Sequence, residues 1–368
     1  MHILLRGGVF MENLRVYPYL KGILLLLITG AVLCWGSTVY EGMKSAVQVC
    51  LETMIPSLYA MMICSTLFLN CGTDRILSRP LHKPARFLFG CSGRVFVIFL
   101  LSQAAGYPVG ARMLCELSEK GQLTRRQASW FAGVCFGGGP AFLSALFASN
   151  PEDGRAVFLA GFLANGILFC CMSRFLHADK LPEKETLSAS KGASALVEAA
   201  VSGGIAILKI CAMVILFGGI LSLAKEAGLL ALPSFLLSRL IQSTPEQTAQ
   251  LLCGFAEISH ITALFPYGTS QLPVLGAMLA FGGICVLLQI AAVAGGRIHM
   301  GCVLLLRCAA AALTGLLLFL RQMWMPAEET AAAAVIWEIP QNIQTGSPLP
   351  AIFLLVMTGM LLCSVRQK

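Results

Sequence analysis

The chain alternates long apolar runs with short interruptions that are basic or rich in glycine and proline. A basic leader with Arg6, Arg15 and Lys21 precedes the first run, Tyr19 to Ser37. No Ala-x-Ala-like cleavage site follows it, so it reads as a retained helix rather than a signal peptide, with Met11 as an alternative start. Val47 to Asn70 is apolar and broken by Pro56, and Asp74 to Arg94 reads as a basic loop. Val95 to Leu114 is interrupted by Gly106-Tyr107-Pro108, and Ala128 to Ser149 by Gly137-Gly138-Gly139-Pro140. Ala156 to Leu176 is a continuous run that ends at the most polar linker.

The second half repeats this style. Ala193 to Ala224 carries Lys209 inside it, and Leu229 to Ile241 is short. Ala249 to Phe265 holds Glu257 and His260, and Gln271 to Gly296 contains Gly282-Gly283. Gly301 to Leu320 and Ala351 to Val365 close the series. The pattern predicts an all-α polytopic membrane protein of roughly 9–11 hydrophobic segments, each span needing about 20 apolar residues. The expected organisation is a leader (1–18), a first transmembrane half (19–176), a polar cytoplasmic linker (177–192), a second half (193–320), an outside linker (321–350), and a last helix with a basic tail (351–368).

Composition sharpens the class. Among 368 residues, 57% are hydrophobic and 12% charged, with a mean hydropathy of +0.80. A soluble domain would carry about a quarter charged residues, and a disordered chain would be polar. The net charge of +8 therefore belongs to loops at a membrane surface, not to a nucleic-acid footprint. Fifteen cysteines form no Cys-x-x-Cys pair, and five histidines lack zinc-ligand spacing. No cofactor is expected.

Lys and Arg mark cytoplasmic loops. On that rule the leader, Asp74–Arg94, Arg112–Arg126, Arg174–Gly192, Arg297–His299 and the C-terminus lie inside; Asn150–Arg155 and Arg321–Pro350 lie outside. Both ends of Val95–Leu114 then lie on one side, which predicts a re-entrant hairpin with its apex at Gly106. Broken backbone at membrane depth is tolerated only when buried in protein or lining a cavity.

The halves can be laid side by side. Cys135-Phe136-Gly137-Gly138 matches Ala280-Phe281-Gly282-Gly283, and the break at Gly106-Tyr107-Pro108 has its counterpart near Gly254 to Leu264. The assigned sides give the halves opposite orientation. Paired, glycine- or proline-interrupted segments in inverted halves point to a transport site near the bilayer midplane. The plainer reading is that these glycines only permit close helix packing.

At these segments the sequence resembles the YlbJ/SpoVV family of sporulation integral membrane proteins, which carry the nucleoside-recognition, or Gate, domain twice. Met54-Ile55-Pro56-Ser57-Leu58 resembles its Phe-Pro-Ser-Leu helix start. Gly106-Tyr107-Pro108-Val109-Gly110-Ala111-Arg112 resembles its Ser-Gly-Tyr-Pro-x-Gly-Ala-Lys block. Cys135 to Phe142 resembles Cys-Asn-Asn-Ser-Gly-Pro-x-Phe, Glu257-Ile258-Ser259-His260 resembles Glu-Ile-Thr-Asn, and Phe281-Gly282-Gly283 with Gln289 resembles Phe-Gly-Gly-x-Ser-x-x-x-Gln. The family's polar Asn-Asn-Ser positions are Phe136, Gly137 and Gly139 here, and its Ser after Gly-Gly is Cys285. The resemblance implies two Gate-type inverted repeats and transport of dipicolinic acid during spore formation; related Gate domains also serve nucleoside transporters.

Candidate solute-binding residues follow from the breaks and from polar groups in apolar runs. Gly106, Tyr107, Pro108 and Gly110 free backbone groups, and a helix N-terminus after such a break can face an anion. Gly137, Gly138, Gly139 and Pro140 form the second break, and Gly282 and Gly283 a third. Lys209 is a charge near the middle of a span, expensive unless it meets a partner, water or an anionic solute; Glu198 and Glu52 are its alternative partners. Glu257 and His260, three residues apart with Ser259 between, would share a helix face and could relay protons. Gln289 is a lone polar group that could bond a ligand or a neighbouring helix. Glu52 and Arg307 are read as interfacial, and Arg112 as an anchor at the cytoplasmic mouth. No phosphate loop, zinc-hydrolase or serine-hydrolase motif occurs. The expectation is a gradient-driven or facilitated transporter, not an enzyme, for a small anionic solute. It would work in a cell membrane, with homo-oligomerisation left open. A non-transporting scaffold for spore-envelope assembly and a nucleoside-type transporter are the alternatives.

Overall fold

A computed structural model describes residues 18–176, 193–241, 243–264 and 271–324. The expected leader, the 177–192 linker, nearly all of the 321–350 linker and the last helix lie outside the described residues. Those described form helices and connecting turns, with no strand among them. The protein is an all-α, multi-pass membrane protein. Four helical stretches are long and apolar enough to cross a bilayer: Pro151–Phe175, Ala195–Glu226, Leu272–Ala294 and Met300–Trp324. Two further pairs, Leu25–Cys34 with Gly36–Glu52 and Ile76–Phe89 with Gly93–Ala105, bend by 91° and 89°. The expected hydrophobic segments thus resolve into fewer continuous spans, because breaks divide several of them into short helices.

In the first half, α1 (Pro18–Cys34) bends into α2 (Gly36–Val49), which continues through a π turn (Cys50–Met54) into α3 (Ile55–Asn70). Pro56 does not end this helix. It has no N–H to donate to the preceding turn, and the wide turn just upstream absorbs the missing bond. The stretch expected to be a basic loop is instead helical: α4 (Thr73–Pro84) followed by a second π turn (Ala85–Phe89). Its inward line of Ser78, half-buried Leu81 and Ala85 packs toward the core while Arg79, Lys83 and Arg86 are exposed.

Next comes the reversal. α5 (Gly93–Ala105) stops at Gly106 (φ 97°) and α6 (Tyr107–Glu119) starts at once. A Cβ on Gly110 would lie 2.6 Å from the Ser102 Cβ; in an unbroken helix residues eight apart would be separated by about 12 Å. The chain therefore doubles back as a helical hairpin. α7 (Arg125–Val134) opens on a capping box in which Thr124 and Gln127 satisfy each other's backbone N–H. It ends in a non-helical segment through Gly139, after which α8 (Pro140–Leu146) begins. α9 (Pro151–Phe175) completes the half.

The second half is built of fewer elements, again short helices divided by breaks. α10 (Ala193–Glu226) is the long apolar helix and α11 (Ala231–Ile241) the short one. α12 (Pro245–Ala256), again opened by a capping box (Thr244 and Gln247), breaks at Glu257 into a 3₁₀ helix (Ile258–Leu264). α13 (Leu272–Phe281) and α14 (Gly283–Ala294) flank Gly282, and α15 (Met300–Trp324) ends the described chain.

α9 and α15 run antiparallel. At one end Arg321 pairs with Asp153 (3.5 Å). At the other, Arg126 lies over the Phe175 ring and the His299 N–H donates to Ser129 Oγ (2.8 Å). That second end gathers the basic groups: Arg125 donates to the Gly296 carbonyl, Arg174 to the Leu88 carbonyl, and Arg297 pairs with Glu119 at 2.6 Å. Outward faces are aliphatic, as with Leu159, Leu163 and Ile167 on α9, the surface that acyl chains solvate. Inward contacts use small residues: Gly218 backs onto Ala46 and Gly42, bringing α10 close to α2.

Candidate functional site

The interruptions in both halves meet at one place. A Cβ on Gly138 would lie 2.9 Å from the Tyr107 hydroxyl, and one on Gly139 would lie 3.5 Å from the Gly106 nitrogen. A Cβ on Gly110 would strike the Cys135 carbonyl. Across the halves, a Cβ on Gly282 would lie 2.5 Å from the Phe136 ring and 3.5 Å from the Tyr107 ring. Gly283 in turn backs onto the break after α12, with the Phe255 carbonyl and the Ile258 nitrogen at 3.3 and 3.4 Å from its would-be Cβ. Gly106, Gly137–Gly139, Glu257–Ile258 and Gly282–Gly283 thus form one contiguous crossing. Pro108 and Pro140 stand in the first turns of α6 and α8, where a missing N–H breaks no helical bond.

Each helix end exposes carbonyls that have no partner along the helix, and long-range side chains fill these positions. At the end of α13, Tyr107 Oη donates to the Leu279 carbonyl (3.0 Å) and Arg307 Nη1 to the Ala280 carbonyl (3.1 Å). At the end of α7, Gln103 Nε2 donates to the Val134 carbonyl (3.2 Å), and Asn165 Nδ2 donates to the Phe136 carbonyl (2.7 Å) and to Gln103 Oε1 (3.1 Å). Arg307 Nη2 closes the network on Asn165 Oδ1 at 2.7 Å, its guanidinium stacked over the Phe136 ring at 4.4 Å. Gln103, Tyr107 and Asn165 of this network, with Gly138, Ala280 and Thr314 among others, line a partly open cavity of about 30 Å³. That is room for about two waters. Arg307 contacts the cavity wall at Asn165 and Ala280 and is not itself a lining residue.

Arg307 corrects the sequence-based assignment to the interface. It lies seven residues into α15, about 10 Å along the axis, and is fully buried. Gln103, Asn165 and Thr314, also buried, were not singled out from the sequence. The available signal was a lone polar side chain within an apolar run, the same signal that marked Gln289.

Other candidates lie elsewhere or differ in geometry. Glu257 and His260 do not share a helical face. The chain leaves the helix at Glu257 (φ −139°, ψ 116°), and its buried carboxylate accepts the Ser259 N–H (3.1 Å) and the Ser259 hydroxyl. His260 is half-buried on the 3₁₀ turn, its N–H donating to the Glu257 carbonyl. Gln289 turns back on its own helix, donating to Cys285 Sγ. Lys209 has an exposed side chain and donates to the Ala292 carbonyl (3.4 Å) in the last turn of α14, where a cation suits the helix dipole. No ion pair joins it to Glu198 or Glu52 among the described residues. It lines a second cavity of about 290 Å³ with Arg112, Glu116, Glu119, Glu198 and Lys120, which shares no lining residue with the first. Arg112 is buried there, bonded to Ser202 Oγ (2.7 Å) and paired with Glu116 (3.2 Å).

No family model matches the chain, and no solved structure matches it. A curated relative is the sporulation integral membrane protein YlbJ of Bacillus subtilis (strain 168), 25% identical over 144 residues. That match covers 38% of this chain and 35% of the relative, so the aligned part spans about a third of the relative's length.

Proposed function

We propose that this protein is a gradient-driven or facilitated transporter for a small anionic solute, with each half one Gate-type copy of an inverted repeat. The observation that carries the reading is the crossing of the interrupted segments of both halves at one buried polar point. Such crossings in inverted halves are where secondary transporters hold their cargo. The antiparallel α9 and α15, each the last described helix of its half, support the inversion. The cavity at the crossing is small and partly open, and alternating access would widen it toward one face at a time. The larger cavity around Lys209 and Arg112, at the basic end, serves as an entry vestibule that gathers anions. Glu257, buried beside Gly283, is the carrier if protons couple to transport. The distant relative's name supports a role in sporulation, and with it dipicolinic acid as the solute to try first.

The test is flux into proteoliposomes, with labelled dipicolinate, short dicarboxylates and nucleosides as solutes. Saturable uptake is expected, and Glu257→Gln should lower it by roughly tenfold, about 1.4 kcal/mol of barrier, at unchanged expression. No uptake of any solute by wild-type protein would favour the scaffold role instead.

A further inference from the structure

Arg307 has more charge than its visible duties need. Its donors serve one backbone carbonyl and one side-chain amide oxygen, acceptors that a neutral amide would satisfy without a charge buried inside a membrane protein. Buried charges are ordinarily paired. Arg307 forms no ion pair among the described residues, and the titratable groups that face it are Tyr107, Cys135 and Cys308, none a carboxylate. Its Nε–H is buried and has no partner among the described residues. The Phe136 ring beneath it offers only partial compensation.

A second group lines the cavity whose wall residues Asn165 and Ala280 are bonded from behind by Arg307. Thr314, seven residues further along α15 and therefore on the same face, is fully buried and lines the cavity at the crossing, and its hydroxyl has no partner among the described residues. A buried hydroxyl without a partner is costly when a valine of the same shape would fill the space. One anion bound between them would serve both groups, as counter-charge for Arg307 and as acceptor for Thr314.

We propose that Arg307 and Thr314 are the solute-recognising pair of the transport site, Arg307 supplying the counter-charge to a carboxylate and Thr314 donating a hydrogen bond to it. This deepens the transporter reading and rests on it. It moves the charge recognition at the crossing from Lys209, which faces the separate vestibule, to α15. Asn165 holds the guanidinium in place and is a positioning residue. The cavity is too small for a whole solute in this conformation, so the carboxylate enters as α15 and α13 part and the cavity widens.

The experiment measures the thermal stability of the purified full-length protein in detergent with succinate, malonate and pyridine-2,6-dicarboxylate, and with the corresponding diamides. At least one carboxylate should raise the wild-type midpoint in a saturable way and the diamides should not. Thr314→Val should weaken the apparent affinity about tenfold while leaving the ligand-free midpoint unchanged or higher, which a merely structural threonine would not do. Arg307→Gln should abolish the shift and Arg307→Lys should retain part of it. If Arg307 variants fail to fold, Thr314→Val alone decides. An undiminished carboxylate response in Thr314→Val overturns the proposal. So does the absence of any carboxylate response in wild-type protein, whereas nucleoside flux in that case would leave the transporter reading standing.

Discussion

Gly282 shows how narrowly single residues define the crossing. Its φ of 88° lies in the left-handed region, which costs an L-residue about 1–2 kcal/mol. A methyl there would also sit 2.5 Å from the Phe136 ring. Gly282→Ala should therefore destabilise the protein by about 3 kcal/mol, strain and overpacking together, read as a lower melting midpoint in detergent. Phe136→Ala removes the overlap but not the strain, so the double variant should recover part of the loss beyond additivity. Strict additivity would mean that the ring and the glycine do not confine each other. Gly-Gly in an apolar run was legible in the sequence as a candidate break, with close helix packing as the plainer alternative. That it faces Phe136 was not legible, since the contact joins positions far apart in the chain and leaves no local pattern. The same holds for Arg307 and Asn165, which meet across 142 positions.

At the level of elements, the sequence reads well where local chemistry decides and poorly where tertiary contacts override it. The reversal at Gly106 follows from a Gly-Tyr-Pro interruption whose two flanks are both basic. α4 was read as a loop because its charge masks a buried line one residue wide; it stays helical with Pro80 and Pro84 inside it, and a π turn follows directly after Pro84. Glu257 and His260 were paired on helical spacing, but the Ser259 N–H captures the carboxylate and the helix ends there. The capping boxes of α7 and α12 give an element-level prediction. Thr124→Ala and Thr244→Ala each remove an acceptor for a first-turn N–H, a loss of about 1 kcal/mol apiece. Each should lower the melting midpoint by a similar amount, and Ser at either position should restore it. Unequal losses would show that one box is replaced by other contacts in its half.

For the whole molecule, the decisive property is which ends share a face. The ties among Glu119, Arg297, Arg125 and Gly296 hold the end of α6, the start of α7 and the turn before α15 together, while Asp153 and Arg321 hold the start of α9 and the end of α15 together. A bilayer placed around the aliphatic belt then puts the first group on one side and the second on the other, and the excess of Lys and Arg in the first group predicts that it is the cytoplasmic one. Single cysteines introduced at Arg94, Lys120 and Arg297 in a Cys-less background should all react with an impermeant maleimide from the cytoplasmic side. Cysteines at Glu152 and Arg321 should react from the outside. Labelling of Arg94 and Lys120 from opposite faces would mean that α5 and α6 cross as one span, and the hairpin apex at Gly106 would no longer lie at mid-depth. Since Tyr107 reaches α13 only from such an apex, that outcome would also separate the interrupted segments and remove the shared site on which the transport reading stands.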